Sequence, residues 1–168
     1  MDADRDAVDG IVDDLQRLRP DLDTGGFRIT GRILRLAQFL ESRRQAILEP
    51  MGLTVADFDV LASLWRRAGP GPLNVRDLQR SLLLSSGGMT KRLDRLETVA
   101  LIRRTPDPSD RRGVLIELTA TGTDIIQHAL TAVLSSERDL VATAIHSAQT
   151  RHRVEDGLRR LSREQERS

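Results

Sequence analysis

Basic residues are concentrated in the middle of this chain, between positions 85 and 112. The segment holds seven basic and four acidic residues, a net charge of +3. Lys91, Arg92 and Arg95 fall on one predicted helix, and Arg111 and Arg112 follow in a turn-rich stretch. Lysine and arginine bind phosphate groups, and the local positive field rather than the total charge of a protein sets that affinity. The segment therefore predicts binding to a phosphate backbone, although the whole chain carries only +1.

The elements that must position these cations are two short helices and a hairpin. Asn74 is predicted to cap the first helix, and Ser85 or Ser86 to cap the second. Two strand-like runs, 101–105 and 114–118, then flank a turn-rich tip, which is typical of a hairpin. Helix, turn, helix and basic hairpin in this order offer one helix to the major groove and an arginine arm to the minor groove of double-stranded DNA.

The second helix has one apolar and one polar face. At 100° per residue, Met89, Leu93 and Leu96 cluster on the side that should face the core. Free amides at its start would suit a bound phosphate, the alternative being an ordinary N-cap. Arg92 falls between the two faces, where it could pair with a carboxylate or line a cavity. The residues predicted to contact DNA are Ser85, Ser86, Gly87, Gly88, Thr90, Lys91, Arg95, Arg111 and Arg112.

The hairpin tip places two arginines beside acidic residues. Arg111 and Arg112 suit a narrow minor groove, where the concentrated negative potential attracts a weakly hydrated cation. Asp110 is predicted to support the wing, either by a salt bridge to an arginine or by closing the turn.

The rest of the chain predicts a mainly α protein with a small β-wing, in which a winged helix-turn-helix core is flanked by dimerisation helices. Residues 1–26 form an acidic extension helix with its connector, 27–52 and 121–164 a helical dimerisation region, and 53–120 the DNA-binding core, all within one compact domain. Long apolar-faced helices at both ends indicate a homodimer. The alternative is an enlarged monomer core.

Catalysis is not indicated. The histidines His128, His146 and His152 form no metal-binding spacing, and cysteine is absent. The glycines before Lys91 lack the spacing of a phosphate-binding P-loop. We therefore expect no enzyme activity, no metal and no cofactor. No apolar run is long enough to span a membrane, and the acidic N-terminus is unlike a signal peptide, so we expect a cytoplasmic protein.

Five short motifs resemble those of the multiple-antibiotic-resistance regulator (MarR) family of winged helix-turn-helix proteins. They are Leu53-Thr54-x-x-Asp57-Phe58-Asp59-Val60-Leu61, Leu93-x-Arg95-Leu96-Glu97, Leu101-Ile102-Arg103-Arg104, Asp107-Pro108-x-Asp110-Arg111-Arg112-Gly113 and Leu118-Thr119-x-x-Gly122. The match covers about residues 28–162, with Ala100 in place of the usual glycine before Leu101. The leading helix resembles a subgroup with an N-terminal extension.

This resemblance implies a homodimer on a pseudo-palindromic operator, usually a repressor that a small, often anionic aromatic ligand releases. In the urate-responsive branch an Asp and two Arg line the ligand pocket, and Asp59, Arg92 and Arg104 match them. Leu15 stands where that branch has a tryptophan, which argues against urate. The alternative is a structural ion pair between Asp59 and an arginine. A competing function is a protein-interaction module that keeps the fold without binding DNA.

Overall fold

The computed structural model describes residues 5–67, 71–82, 88–108, 110 and 113–167. The chain divides into two compact units, Met1–Val55 and Ala56–Ser168. Within the described ranges, no helix is long and apolar enough to cross a bilayer.

The first unit pairs two helices, α1 (Ala7–Leu18) and α2 (Gly25–Leu48). Asp6 caps α1, because its carboxylate accepts from the backbone amides of Val8 and Asp9 while the Asp9 side chain accepts from the amide of Asp6. Val8 and Val12 are buried. The two helices approach closely at Gly31, where a Cβ would lie 3.3 Å from Cγ1 of Val8. The extension helix predicted from the sequence is confirmed, and its connector ends one turn earlier than expected.

A short 3-10 helix, Glu49–Met51, ends α2 at the proline. Gly52 has a φ of 70°, and the amide of Leu53 donates to the carbonyl of Leu48 at 3.2 Å. This left-handed glycine closes the helix end and turns the chain toward the second unit.

The second unit contains the winged helix-turn-helix fold. Its helices are α3 (Val55–Arg67), α4 (Val75–Ser81), α5 (Met89–Thr98), α6 (Ala120–Ala144) and α7 (Ala148–Glu166). Asn74 caps α4 as predicted, by accepting from the amide of Asp77 at 2.8 Å. The core of the unit is aliphatic, and its most deeply buried side chains include Leu61, Leu78, Leu93, Leu96, Ile102, Ile116 and Ile126.

A three-stranded antiparallel sheet forms the wing. β1 (Leu73–Asn74), β2 (Ile102–Pro106) and β3 (Val114–Leu118) lie in the order β1-β3-β2. Ile116 on the central strand is opposite both Leu73 and Arg104. The β2–β3 hairpin was predicted from the sequence, but β1 was not, because a two-residue strand carries no alternation that a pattern could reveal.

The turn between α5 and β2 is closed by an alanine in a strained conformation. Ala100 has a φ of 56°, and the amides of Ala100 and Leu101 donate to the carbonyls of Glu97 and Leu96, both at 2.9 Å. This paired pattern is a Schellman motif, in which the left-handed position favours glycine. An alanine there costs about 1 to 2 kcal/mol.

We therefore expect Ala100→Gly to raise the free energy of unfolding by about 1 kcal/mol. Urea denaturation at fixed protein concentration measures it. Ala142→Gly is the matched control, because Ala142 lies exposed inside α6, where the same substitution should cost about 1 kcal/mol. A destabilising Ala100→Gly would show that the left-handed turn carries no strain.

Candidate nucleic-acid interface

Helix α5 presents one buried and one exposed face. Met89, Leu93 and Leu96 are at most 3 % exposed, which confirms their predicted place in the core. Thr90, Lys91, Asp94 and Arg95 are exposed on the other side. The 3.6-residue period of a helix separates these two sets, so burial of the first fixes the direction in which the second points.

The start of α5 differs from the sequence prediction. The helix begins at Met89 with Gly88 in the N-cap position, so a cap by Ser85 or Ser86 is wrong. Gly88 has a φ of 71°, a left-handed conformation that glycine adopts without a steric penalty. Ser85, Ser86 and Gly87 themselves lie outside the described residues.

An ion pair attaches the exposed face of α5 to the core. The guanidinium of Arg95 donates to the carboxylate of Asp57 in α3. Asp57 is 2 % exposed, whereas the Arg95 side chain is 44 % exposed. A buried carboxylate without a cation is costly, so Arg95 both stabilises Asp57 and extends toward solvent. The sequence analysis placed Arg95 on the outward face but did not identify this partner.

Arg104 connects the wing to α5. Its guanidinium lies 2.7 Å from Asp94 and 2.8 Å from Glu97, and its backbone amide donates to Glu97 at 3.2 Å. Both carboxylates come from the second half of α5. The strand that begins the wing is thereby fixed against the helix through three polar contacts, two of which carry full charges.

Lys91 and Arg92 differ from these paired arginines. Lys91 is exposed and Arg92 half-buried. Neither side chain forms an ion pair with another described residue. The ammonium of Lys91 is therefore available to an anion in solution.

Backbone hydrogen bonds close the tip of the wing. The amide of Asp107 donates to the carbonyl of Gly113 at 3.0 Å, and the amide of Gly113 donates to Asp110 at 2.8 Å. A Cβ on Gly113 would lie 2.8 Å from that of Asp107, so the turn requires glycine. Of the two predicted roles for Asp110, closing the turn agrees with these bonds. Arg111 and Arg112 lie outside the described residues.

A cross-strand ion pair stabilises the base of the wing. Arg103 and Glu117 are directly opposite in the β2–β3 register, and Nε of Arg103 donates to Glu117 at 2.7 Å. This hydrogen bond raises the pKa of Arg103, with the negative charge of Glu117 adding to the effect. Opposite charges across an antiparallel pair favour this register.

The predicted ligand residues are distributed over three elements. Asp59 is buried in α3 at 9 % exposure, Arg92 is on α5, and Arg104 is on β2, where Asp94 and Glu97 neutralise it. Among the described residues, no cluster of three or more histidine or acidic side chains could hold a metal ion.

Comparison with known proteins agrees with this geometry. The sequence model of the MarR family matches residues 53–114, which include α3, α4, α5 and β2. The transcriptional regulator PecS of Dickeya dadantii (strain 3937) is 31% identical over 135 residues, which are 80% of this chain and 81% of PecS. The chain belongs to the MarR family. Its relatives are named as transcriptional regulators, which confirms a regulator rather than an enzyme.

Other members of the MarR family extend the likeness to nearly the whole chain. The MarR protein of Escherichia coli (strain K12) is 30% identical over 132 residues, covering 78% of this chain and 84% of MarR. A mutant MarR from E. coli, solved in complex with operator DNA, superposes with a TM-score of 0.69 at 25% identity over 88% of this chain and 96% of its own. AbsC from Streptomyces coelicolor shares the fold, with a TM-score of 0.74 at 21% identity over 88% of this chain and 99% of its own.

Proposed function

We propose that this protein is a homodimeric repressor that binds a pseudo-palindromic operator and is released by a small, anionic aromatic ligand. The observation that carries the proposal is the exposed face of α5, where Thr90, Lys91 and Arg95 project from a helix whose other face is in the core. A helix held in this way can enter the major groove without rearrangement of the core. The E. coli MarR that superposes on this chain was solved with operator DNA.

DNA contacts are assigned as the sequence predicts them. The recognition surface comprises Ser85, Ser86, Gly87, Gly88, Thr90, Lys91 and Arg95, and the wing adds Arg111 and Arg112 supported by Asp110. Because Arg104 joins α5 and β2, the recognition helix and the wing keep a fixed spacing, which suits simultaneous contact with adjacent grooves.

A homodimer would cover apolar surface that the single chain leaves exposed. On α7, Val154, Leu158 and Leu161 are 43 to 46 % exposed and share one helix face, and no described residue of α7 is buried. On α6, Leu134 and Val141 are also exposed. Contiguous exposed apolar faces on long helices are typical of subunit interfaces. The proposed division into dimerisation regions 27–52 and 121–164 and a core 53–120 follows from this.

Replacing Leu158 by glutamate tests the dimer. We expect Leu158→Glu to weaken self-association about 100-fold, since a carboxylate buried in an apolar interface costs about 3 kcal/mol. Sedimentation equilibrium measures the dissociation constant. Gln149→Glu is the matched control, because residue 149 lies on the opposite side of α7 and introduces the same side chain. Equal dimerisation by both variants would contradict an interface at α7.

Release by a ligand would act on the arginine that joins the wing to α5. An anionic ligand between Asp59, Arg92 and Arg104 would compete with Asp94 and Glu97 for the Arg104 guanidinium. Loss of those ion pairs would free β2 from α5 and change the spacing of the two DNA-contacting elements. The ligand would thus favour a form with lower operator affinity, as differential binding to two states requires.

The wing arginines distinguish a DNA reader from a protein-interaction module. We expect Arg111→Ala combined with Arg112→Ala to weaken operator binding about 10- to 100-fold and to lower the salt slope of log K by up to about 1.8, at 0.9 per phosphate contact. Fluorescence anisotropy measures both. Arg17→Ala combined with Arg19→Ala removes the same charge from an exposed part of the first unit and should leave binding unchanged. If both pairs bind alike, the wing does not contact DNA.

A further inference from the structure

A cavity of about 320 Å³ lies between the start of α1 and the outer side of α2. Ala7, Val8, Leu36 and Phe39 form its apolar walls. The Phe39 side chain is 58 % exposed and Leu36 is 53 % exposed, so both present apolar surface that the chain does not cover. This volume is at the lower end of cavities that bind small organic molecules, which also combine apolar walls with a few polar groups.

Three charged groups complete the wall, and two of them are already neutralised. Arg32 donates to Asp6 at 2.8 Å, to Asp9 at 2.8 Å and to the carbonyl of Arg28 at 2.8 Å. These bonds raise the pKa of Arg32 and, together with a backbone amide, lower that of Asp9. Asp6 additionally accepts from the amides that it caps. The Arg32 and Asp6 side chains therefore form a closed network with little capacity for a ligand.

Arg35 is the third charged group, and it has no carboxylate partner among the described residues. Its guanidinium lies over the ring of Phe39, 5.2 Å from the centroid. This cation–π contact holds the guanidinium beside the apolar wall without neutralising it. The cavity wall thus carries one uncompensated positive charge adjacent to an exposed aromatic ring.

We propose that this cavity binds a small apolar molecule that carries a single carboxylate. The carboxylate pairs with Arg35, whose planar guanidinium matches it with two parallel hydrogen bonds, and the apolar body packs on Leu36 and Phe39. A neutral molecule would leave Arg35 unpaired, and a cation would be repelled by it. The site is separate from the DNA and ligand residues proposed above, and its occupancy can be measured without DNA.

Phenylacetate is the probe, and its uncharged isostere phenylacetamide is the comparison compound. Titration into the full-length protein, followed by amide NMR, should shift the resonances of residues 6–8 and 32–39 with millimolar affinity. Phenylacetamide should bind about tenfold more weakly, because it lacks the charge that Arg35 recognises.

Two exposed substitutions test the assignment within the protein. Arg35→Gln should weaken phenylacetate about tenfold and leave phenylacetamide unchanged, and Phe39→Ala should weaken both compounds. Arg138→Gln, which removes an exposed arginine from α6, is the matched control and should change neither affinity. All three positions are exposed, so the variants should fold normally.

The proposal is overturned if phenylacetate leaves the resonances of 6–8 and 32–39 unmoved, if phenylacetamide binds equally well, or if Arg35→Gln has no effect. It is also overturned if these resonances respond only to protein concentration. That result would assign the face to contact with a second copy of the chain. Because no DNA is present, a negative outcome leaves the operator-binding proposal intact, and the reverse also holds.

Discussion

Gly122→Ala is expected to lower the free energy of unfolding by about 3 kcal/mol. A Cβ at this position would lie 1.9 Å from the carbonyl oxygen of Leu101 and 2.8 Å from its carbonyl carbon. The obstruction is backbone, so no side-chain rotation relieves it. Thermal or urea unfolding at fixed protein concentration measures the change.

Hydrogen bonds around Thr119 explain why α6 approaches the chain so closely here. The hydroxyl of Thr119 accepts from the amide of Gly122 at 2.9 Å and donates to the carbonyl of Ala100 at 2.7 Å. The amide of Thr119 donates to Leu101 at 3.1 Å. The threonine thus caps α6 and attaches it to the turn after α5, and only a residue without a side chain fits at position 122.

Gly10→Ala is the control for this prediction. Gly10 lies inside α1 with nothing within 4 Å of its missing Cβ. The same substitution there should stabilise the protein by up to about 1 kcal/mol, because alanine favours a helix interior. If Gly122→Ala were as stable as Gly10→Ala, the close approach of α6 to Leu101 would be wrong.

Arg95→Ala is expected to affect both stability and DNA binding. It leaves the carboxylate of Asp57 buried without its cation, which should cost about 2 kcal/mol, below the value for a fully buried pair because the arginine is 44 % exposed. It should also weaken operator binding about tenfold by removing a cation from the recognition surface. Urea unfolding and fluorescence anisotropy measure the two effects separately.

Asp57→Asn combined with Arg95→Ala separates the structural role from contact with DNA. The double variant has no unpaired buried charge, so it should recover most of the stability while the operator affinity stays about tenfold low. Recovery of both properties would mean that Arg95 acts only by holding Asp57. Lys91→Ala is the matched comparison, because Lys91 forms no ion pair with a described residue. It should weaken binding about tenfold with unfolding unchanged and the dimer intact.

The sequence was sufficient to predict the features that depend on local periodicity and chemistry. The two faces of α5, the cap at Asn74 and the β2–β3 hairpin were all predicted correctly, because each depends on residues within a few positions of one another. The serine cap of α5 was wrong for a local reason. Serine has the right chemistry for an N-cap, but the helix begins after Gly88, whose left-handed conformation sets the start.

Long-range ion pairs could not be predicted in the same way. Arg95 and Asp57 are 38 residues apart, and their contact depends on how α5 packs against α3. Arg104 was predicted as a ligand residue from the resemblance, whereas its contacts with Asp94 and Glu97 depend on the path of β2 beside α5. The substitution at Ala100 was visible in the sequence, but the strain it carries follows only from its positive φ.

Fluorescence anisotropy of the purified protein on the intergenic DNA beside its own gene tests the central claim most directly. The titration is repeated at several salt concentrations and with unrelated competitor DNA. We predict binding that resists the competitor, with log K falling by about 0.9 per phosphate neutralised as log salt rises. The absence of binding to any DNA at low salt would contradict a DNA-reading function and favour the protein-interaction module.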